Sequence, residues 1–139
     1  MKVNPYLSFD GRTEEALEFY KKAVGAEVLM LMRFKDSPQP PSPEHCAPGS
    51  DNKVMHASFR VGDTLLMASD GSCTGQAKFS GVSLALETAN DDQAKRAFAA
   101  LGEGGQIHQP LISTFFSSQF GVLADKFGLT WMVTVAPKQ

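Results

Sequence analysis

Among the side chains of this sequence that could do chemistry, His56 is the best placed. In the stretch VMHASFRV, Met55, Ala57, Phe59 and Val61 alternate as the apolar side of a half-buried strand, which turns His56, Ser58 and Arg60 to the opposite face. An imidazole on an open face can bind a ligand's oxygen or act as a general acid or base near neutral pH. Bonded instead to Ser69 or to a backbone carbonyl, it would be structural, and the spacing alone leaves both readings open. His45 and His108 fall in or near loops with no partner at metal-ligand spacing and are read as solvated. Asp70, closing the run LMASD, could orient a ligand or simply form the turn ahead of Gly71. Glu87 shares a face with Ser83 and Ala85, but no second carboxylate stands at a catalytic spacing from it.

Other chemistries lack their residues. There is no GxSxG, no cysteine with a histidine partner in its context, no phosphate-cradling loop and no dinucleotide fingerprint. The glycines at 102, 104 and 105 end a helical pattern rather than open one, which is the wrong end for binding an anion. Cys46 and Cys73 lie in Pro/Ser/Gly-rich segments without CxxC spacing and are read as free thiols. With 139 residues, a net charge of -2 and scattered Lys and Arg, the chain offers no basic stripe for nucleic acid and no cationic helix for a membrane surface. No run approaches the roughly 20 apolar residues of a spanning helix, and the N-terminus lacks a signal-type apolar region, so a cytoplasmic protein of one domain, residues 1–139, is expected.

The elements that must position His56 repeat once. Residues 4–9 read as a strand, followed by a helix with Thr13 as N-cap, an apolar face of Ala16, Leu17, Tyr20, Ala23 and Val24, and Gly25 as its stop. Residues 27–34 form a β-like apolar run, and the five prolines between 35 and 53 predict a long mobile loop. Strands 54–61 and 64–69 then form a hairpin across Gly62-Asp63. After a Gly/Ser-rich linker at 70–80 the order recurs: a strand at 81–88, a helix opened by an Asn90 capping box, then strands at 106–112, 119–124 and 128–135. The helix carries its apolar face on Ala94, Ala97, Phe98 and Leu101. In the last hairpin Trp131 and Val133 are expected in the core, with Thr130, Met132 and Thr134 on the other face. Each half, about 1–70 and 78–139, is a β-α-β-β-β module, and a period of roughly 70 residues is too long for a solenoid.

Two such modules, with Phe19-Tyr20 late in the first helix and DKFG before the last strand, resemble the vicinal oxygen chelate superfamily of glyoxalases, bleomycin-resistance proteins and extradiol dioxygenases. NPYLSFDG, EALEFYKK, VMHASFRVGD, LMASD and TFFSSQFGVLADKFGLTWMV are similar to its PhnB-like subfamily, which usually has Phe-Trp where this chain has Phe115-Phe116. The resemblance implies an α+β fold whose paired modules make an open eight-stranded barrel, with the helices outside and the site on the concave face. Relatives often form dimers, so a homodimer is expected.

In metal-dependent members four strand positions hold a divalent ion. The resemblance puts these at Pro5 or Tyr6, at Met67, at Val82 or Ser83, and at Met132, none of which is a usual ligand. Neither a metal nor another cofactor is therefore expected. Some PhnB-like sequences are labelled methyltransferases, but the common S-adenosylmethionine enzymes use a doubly wound sheet with a Gly-rich turn after the first strand, which NPYLSFDGR does not supply. The expected function is binding of a small apolar or aromatic molecule by Tyr6, His56, Ser58, Met67, Ser69, Phe115, Phe116 and Met132, without metal. The alternative is a lyase or isomerase with His56 as its catalytic group.

Overall fold

A computed structural model describes residues 1–37, 51–71 and 77–137. His45, both cysteines, and the prolines of the expected loop lie outside the described residues. The chain divides into two compact units, Met1–Ala77 and Lys78–Gln139. Among the described residues each contains one α-helix and one four-stranded mixed sheet, the first also having a 3-10 turn at Phe34–Asp36, so the fold is α+β and each unit is the expected β-α-β-β-β module.

In the first module β1 (Tyr6–Ser8), α1 (Thr13–Val24), β2 (Glu27–Arg33), β3 (Val54–Val61) and β4 (Thr64–Ser69) give the sheet order β1-β4-β3-β2, with β1 parallel to β4 and the other pairs antiparallel. Period-two alternation sends Leu7, Ala57, Phe59, Leu66 and Ala68 to one face, where Ala16, Leu17 and Tyr20 of α1 cover them. Tyr20 stacks on Phe59 with ring centroids 6.2 Å apart and lies 6.0 Å from Phe9. Each of these fully buried rings contributes roughly 1.5–3 kcal/mol through the apolar area it removes from water. Gly25 stops the helix in the left-handed conformation at φ 69°, as expected.

The start of α1 differs from expectation. Thr13 is its first helical residue rather than its cap, and Arg12, at the cap position, makes no side-chain cap bond. The capping acceptor is Asp70, distant in sequence. Its Oδ1 accepts from the backbone N–H of Gly11 at 3.1 Å and of Thr13 at 2.8 Å, and its Oδ2 accepts from Val54 at 2.7 Å. Asp70 is thus a buried tie between helix and sheet, and the first residue of the expected linker belongs to the core.

The second module contains β5 (Ser83–Thr88), α2 (Asp91–Leu101), β6 (Gln106–Ile112), β7 (Phe120–Ala124) and β8 (Thr130–Val135) in the order β5-β8-β7-β6. β5 is parallel to β8. Ala94, Ala97, Phe98 and Leu101 are buried, as the helical spacing predicts, and so are Leu123, Trp131 and Val133. Asn90 caps α2 by accepting from Gln93 N at 2.8 Å, while the Gln93 side chain reaches back to Ala89 N at 2.7 Å. Pro110, which cannot donate to a ladder, sits in the edge strand β6.

The DKFG turn closes the β7–β8 hairpin through Gly128 at φ 86°. Asp125 is buried there and accepts from Phe127 N, Leu129 N and Trp131 Nε1 at 2.9–3.1 Å.

Candidate functional site

His56 lies on the face of the first sheet turned away from α1. Ser58 pairs with Met67 on β4 and with Met30 on β2, while Met32 pairs with His56 and Tyr6 with Met67. One face of the sheet therefore carries Tyr6, Met30, Met32, His56, Ser58 and Met67. None of these is buried: Tyr6 is 52% and Met30 40% exposed, and the rest are half-buried.

The two methionines of β2 reach this face through an irregularity. The pairing shifts between Val28 and Met30, so Leu29 is an extra residue in the ladder and the alternation is reset. Strict alternation from Glu27 would have turned Met30 and Met32 toward the helix.

Among the described residues His56 has a polar partner on this face. The Tyr6 hydroxyl is 3.2 Å from His56 Nδ1, with the ring centroids 5.7 Å apart. If the phenol donates to Nδ1, a neutral imidazole carries its hydrogen on Nε2 and offers that N–H outward; if Nδ1–H donates to the phenol oxygen, the phenol O–H is the group left to donate. Both tautomers leave the pair with a hydrogen-bond donor for an incoming acceptor. Ser69, expected in the same site, is buried, and its hydroxyl accepts from Gly71 N at 3.3 Å, so it holds the chain turn after β4. Arg60 pairs with Glu27 across the β2–β3 ladder at 2.6 Å.

In the second module Met132 pairs with Ala85 on one side and Val122 on the other, facing away from α2 with Thr130 and Thr134. Phe115 and Phe116 are on no strand. They sit in the β6–β7 connection and line a cleft of about 550 Å³ with the start of α2 and the residues following β8. A smaller hollow of about 330 Å³ in the first module is bounded by Glu14, Arg33, Lys53 and Asp70. Its charged groups hold the chain together. Arg33 pairs with Glu14 and donates to Asn52 O at 2.7 Å, and Lys53 donates to Gly11 O at 3.0 Å. Glu14 holds the Arg33 guanidinium pKa above its ordinary value, through their hydrogen bond first and then through their opposite charges.

Comparison with known proteins places this architecture. A family model described as 3-demethylubiquinone-9 3-methyltransferase matches residues 1–134. Protein YjdN of Escherichia coli K12 is 35% identical over all of this chain and 98% of its own length. The crystal structure of PA1353 from Pseudomonas aeruginosa superposes at a TM-score of 0.84 and 34% identity, covering 99% of each chain. A Bacillus cereus PhnB protein, also named as a 3-demethylubiquinone-9 3-methyltransferase, superposes at 0.79 and 30% identity over 98% of this chain and all of its own. The chain belongs to the PhnB-like family. A glyoxalase/bleomycin-resistance/dioxygenase domain from Frankia shares the fold at a TM-score of 0.67 and 10% identity, covering 97% of this chain and 94% of its own.

The metal positions that the resemblance implies can be compared with the donors this chain carries there. In the first module they fall on Tyr6 and Met67, which are paired neighbours. In the second they are expected at Val82 or Ser83 and at Met132; Ser83 lies beside Thr130, and the residue beside Met132 is Ala85. Two thioethers, with a proline or phenol in the first module and a valine or serine in the second, are not the usual imidazole or carboxylate donors for Mg, Zn or Fe(II), so no step is assigned to such an ion. Among the described residues no group of three or more His, Cys, Asp or Glu is placed to hold a metal, and no helix is long and apolar enough to cross a membrane.

Proposed function

We propose that this PhnB-like chain binds a small, largely apolar or aromatic molecule carrying a hydrogen-bond-accepting oxygen, on the face of the first sheet turned away from α1. The observation that carries the reading is the Tyr6–His56 pair, held open between strands whose neighbouring side chains are the thioethers Met30, Met32 and Met67. Thioethers adapt their shape and make favourable contacts with aromatic edges, while one oriented donor fixes the direction of the ligand. Within the second module Met132, Phe115 and Phe116 are proposed as further apolar contacts for small molecules. The methyltransferase name of the family model and of the Bacillus cereus relative does not transfer readily, because each sheet here is four-stranded and mixed rather than doubly wound and parallel.

A thermal-shift screen of aromatic carbonyl and carboxylate compounds against the full chain tests this. Hits should lose about tenfold in affinity in His56→Ala, the rough value of one hydrogen bond to a buried ligand oxygen. Hits bound equally by wild type and His56→Ala would sink the reading.

The second reading, a lyase or isomerase working through His56, is favoured by the same 3.2 Å contact, since a general base works best with a partner that fixes its tautomer. Turnover of any hit, abolished in His56→Ala and reduced in Tyr6→Phe, would select it. A homodimer and a cytoplasmic location complete the proposal, and light scattering that returned the monomer mass would remove the dimer.

A further inference from the structure

The cleft of the second module has a composition unlike the His56 face, and it carries an inference that is independent of that face. Its rim is aromatic. Phe115 is fully exposed at 101% and Phe116 is 49% exposed, although an exposed phenylalanine costs solvation free energy in a chain with no ligand. The three rings of Phe115, Phe116 and Phe120 follow one another at centroid distances of 5.1 and 5.2 Å, each nearly perpendicular to the next.

The turn that presents them is pinned. Thr114 Oγ1 accepts from Phe116 N and Ser117 N at 3.3 and 3.1 Å, and Thr114 N donates to Ser117 O at 2.9 Å. The buried Ser117 hydroxyl donates to Gln119 O at 2.7 Å and accepts from Val135 N at 2.9 Å. Ser118 donates to Asp91 on α2. Rings held outward by a bonded turn need no reordering to meet a ligand, which lowers the entropic cost of binding.

Among the described residues the charge lining the cleft is of one sign. Asp91 is the one ionisable side chain among the described residues that line it. The start of α2 is poorly equipped for an anion, since the Ala89 and Gln93 N–H groups are already taken by the Gln93 and Asn90 side chains, and Asp91 and Asp92 add negative charge. An exposed aromatic face attracts a cation through its quadrupole, and a carboxylate beside it adds direct attraction.

We propose that this cleft is a second binding site, for small organic cations of the alkylammonium class. Phe115 and Phe116 supply the ring faces, and Asp91, oriented by Ser118, supplies the counter-charge.

Choline and its uncharged carbon isostere dimethylbutanol are suitable probes, titrated separately into the full chain and followed by backbone amide NMR. Choline should shift the amides of residues 89–91 and 114–118 saturably, and dimethylbutanol should bind at least about fivefold more weakly. Phe115→Ala and Asp91→Asn should each weaken choline by about threefold or more, and the choline response should shrink as salt is raised. Phe115 is exposed and Asp91 half-buried in the first turn of α2, and unchanged amide spectra elsewhere will confirm that the fold is retained. Equal binding of the two probes, no saturable shift, or an unchanged choline response in Phe115→Ala overturns the proposal. If Phe115→Ala instead alters the mass measured by light scattering while choline has no effect, the rings serve contact with a second copy and the site is likewise refuted.

Discussion

The two modules share a topology down to the strand order, first-fourth-third-second, with the first and fourth strands parallel in each. They differ in what each sheet presents away from its helix. The first module presents an imidazole and a phenol in contact among thioethers; the second presents Ser83, Ala85, Glu87, Val122, Thr130, Met132 and Thr134, where Glu87 is the one ionisable side chain among these strand residues. The helix-covered sides are alike because both must bury an apolar stripe against a sheet. The open sides are under no such constraint, so the duplicated scaffold lets the two copies present different side chains.

The modules also use their buried carboxylates differently. Asp70 joins residues 57 and 16 positions away, linking α1, β3 and the end of β4. Asp125 acts within six residues, shaping a hairpin and fixing Trp131. Asp70→Ala should therefore be the most damaging change, about 3–4 kcal/mol by urea denaturation, because two buried N–H groups and the part-buried Gly11 N–H lose their acceptor across separate elements. Asp125→Ala should cost about 2–3 kcal/mol, since a turn can relax locally. The reverse ranking would break the comparison.

The glycines after the two helices contrast in a similar way. A Cβ at Gly105 would lie 2.1 Å from Ala124 O, a backbone atom that cannot step aside, so Gly105→Ala should cost roughly 2–3 kcal/mol. At Gly25 the space is open and only the left-handed φ resists, so Gly25→Ala should cost about 1 kcal/mol. Denaturation midpoints of the two variants compare close approach with backbone conformation as causes.

Function should separate the modules the other way. His56→Ala should lower affinity for a bound aromatic acid or ketone by about tenfold while leaving stability within about 0.5 kcal/mol, as a half-exposed side chain allows. The smallest effect is expected at the exposed Arg60–Glu27 pair, where Arg60→Ala should change stability by less than about 0.5 kcal/mol.

The fold was readable because its signals are local and redundant. Alternation in HASFR of the third strand and in TWMVTV, the i, i+3, i+4, i+7 face of α2, the Asn90 box and the Gly25 stop each match the structure, while at the start of β3 a ladder shift buries Val54 in place of Met55. What escaped depends on long-range geometry. Asp70 looks like a turn former in sequence, and its three donors come together only when β1, α1 and β3 are assembled. Met30 and Met32 join His56 only through the ladder shift at Leu29, which periodicity cannot register because an inserted residue leaves the composition unchanged. The Tyr6–His56 contact spans 50 positions and required the parallel pairing of β1 with β4. Phe115 and Phe116, grouped by composition with the apolar wall, are on a loop whose bonds hold them outward.

The central claim is that the Tyr6–His56 face is where a small molecule binds. The most direct test records histidine ring and backbone amide NMR signals of the full chain as aromatic carbonyl and carboxylate fragments are added. The account predicts saturable shifts of the His56 ring and of the amides of Tyr6, Ser58 and Met67, lost in His56→Ala, with the His108 ring unmoved. Fragments that bind while leaving the His56 ring unchanged would contradict it.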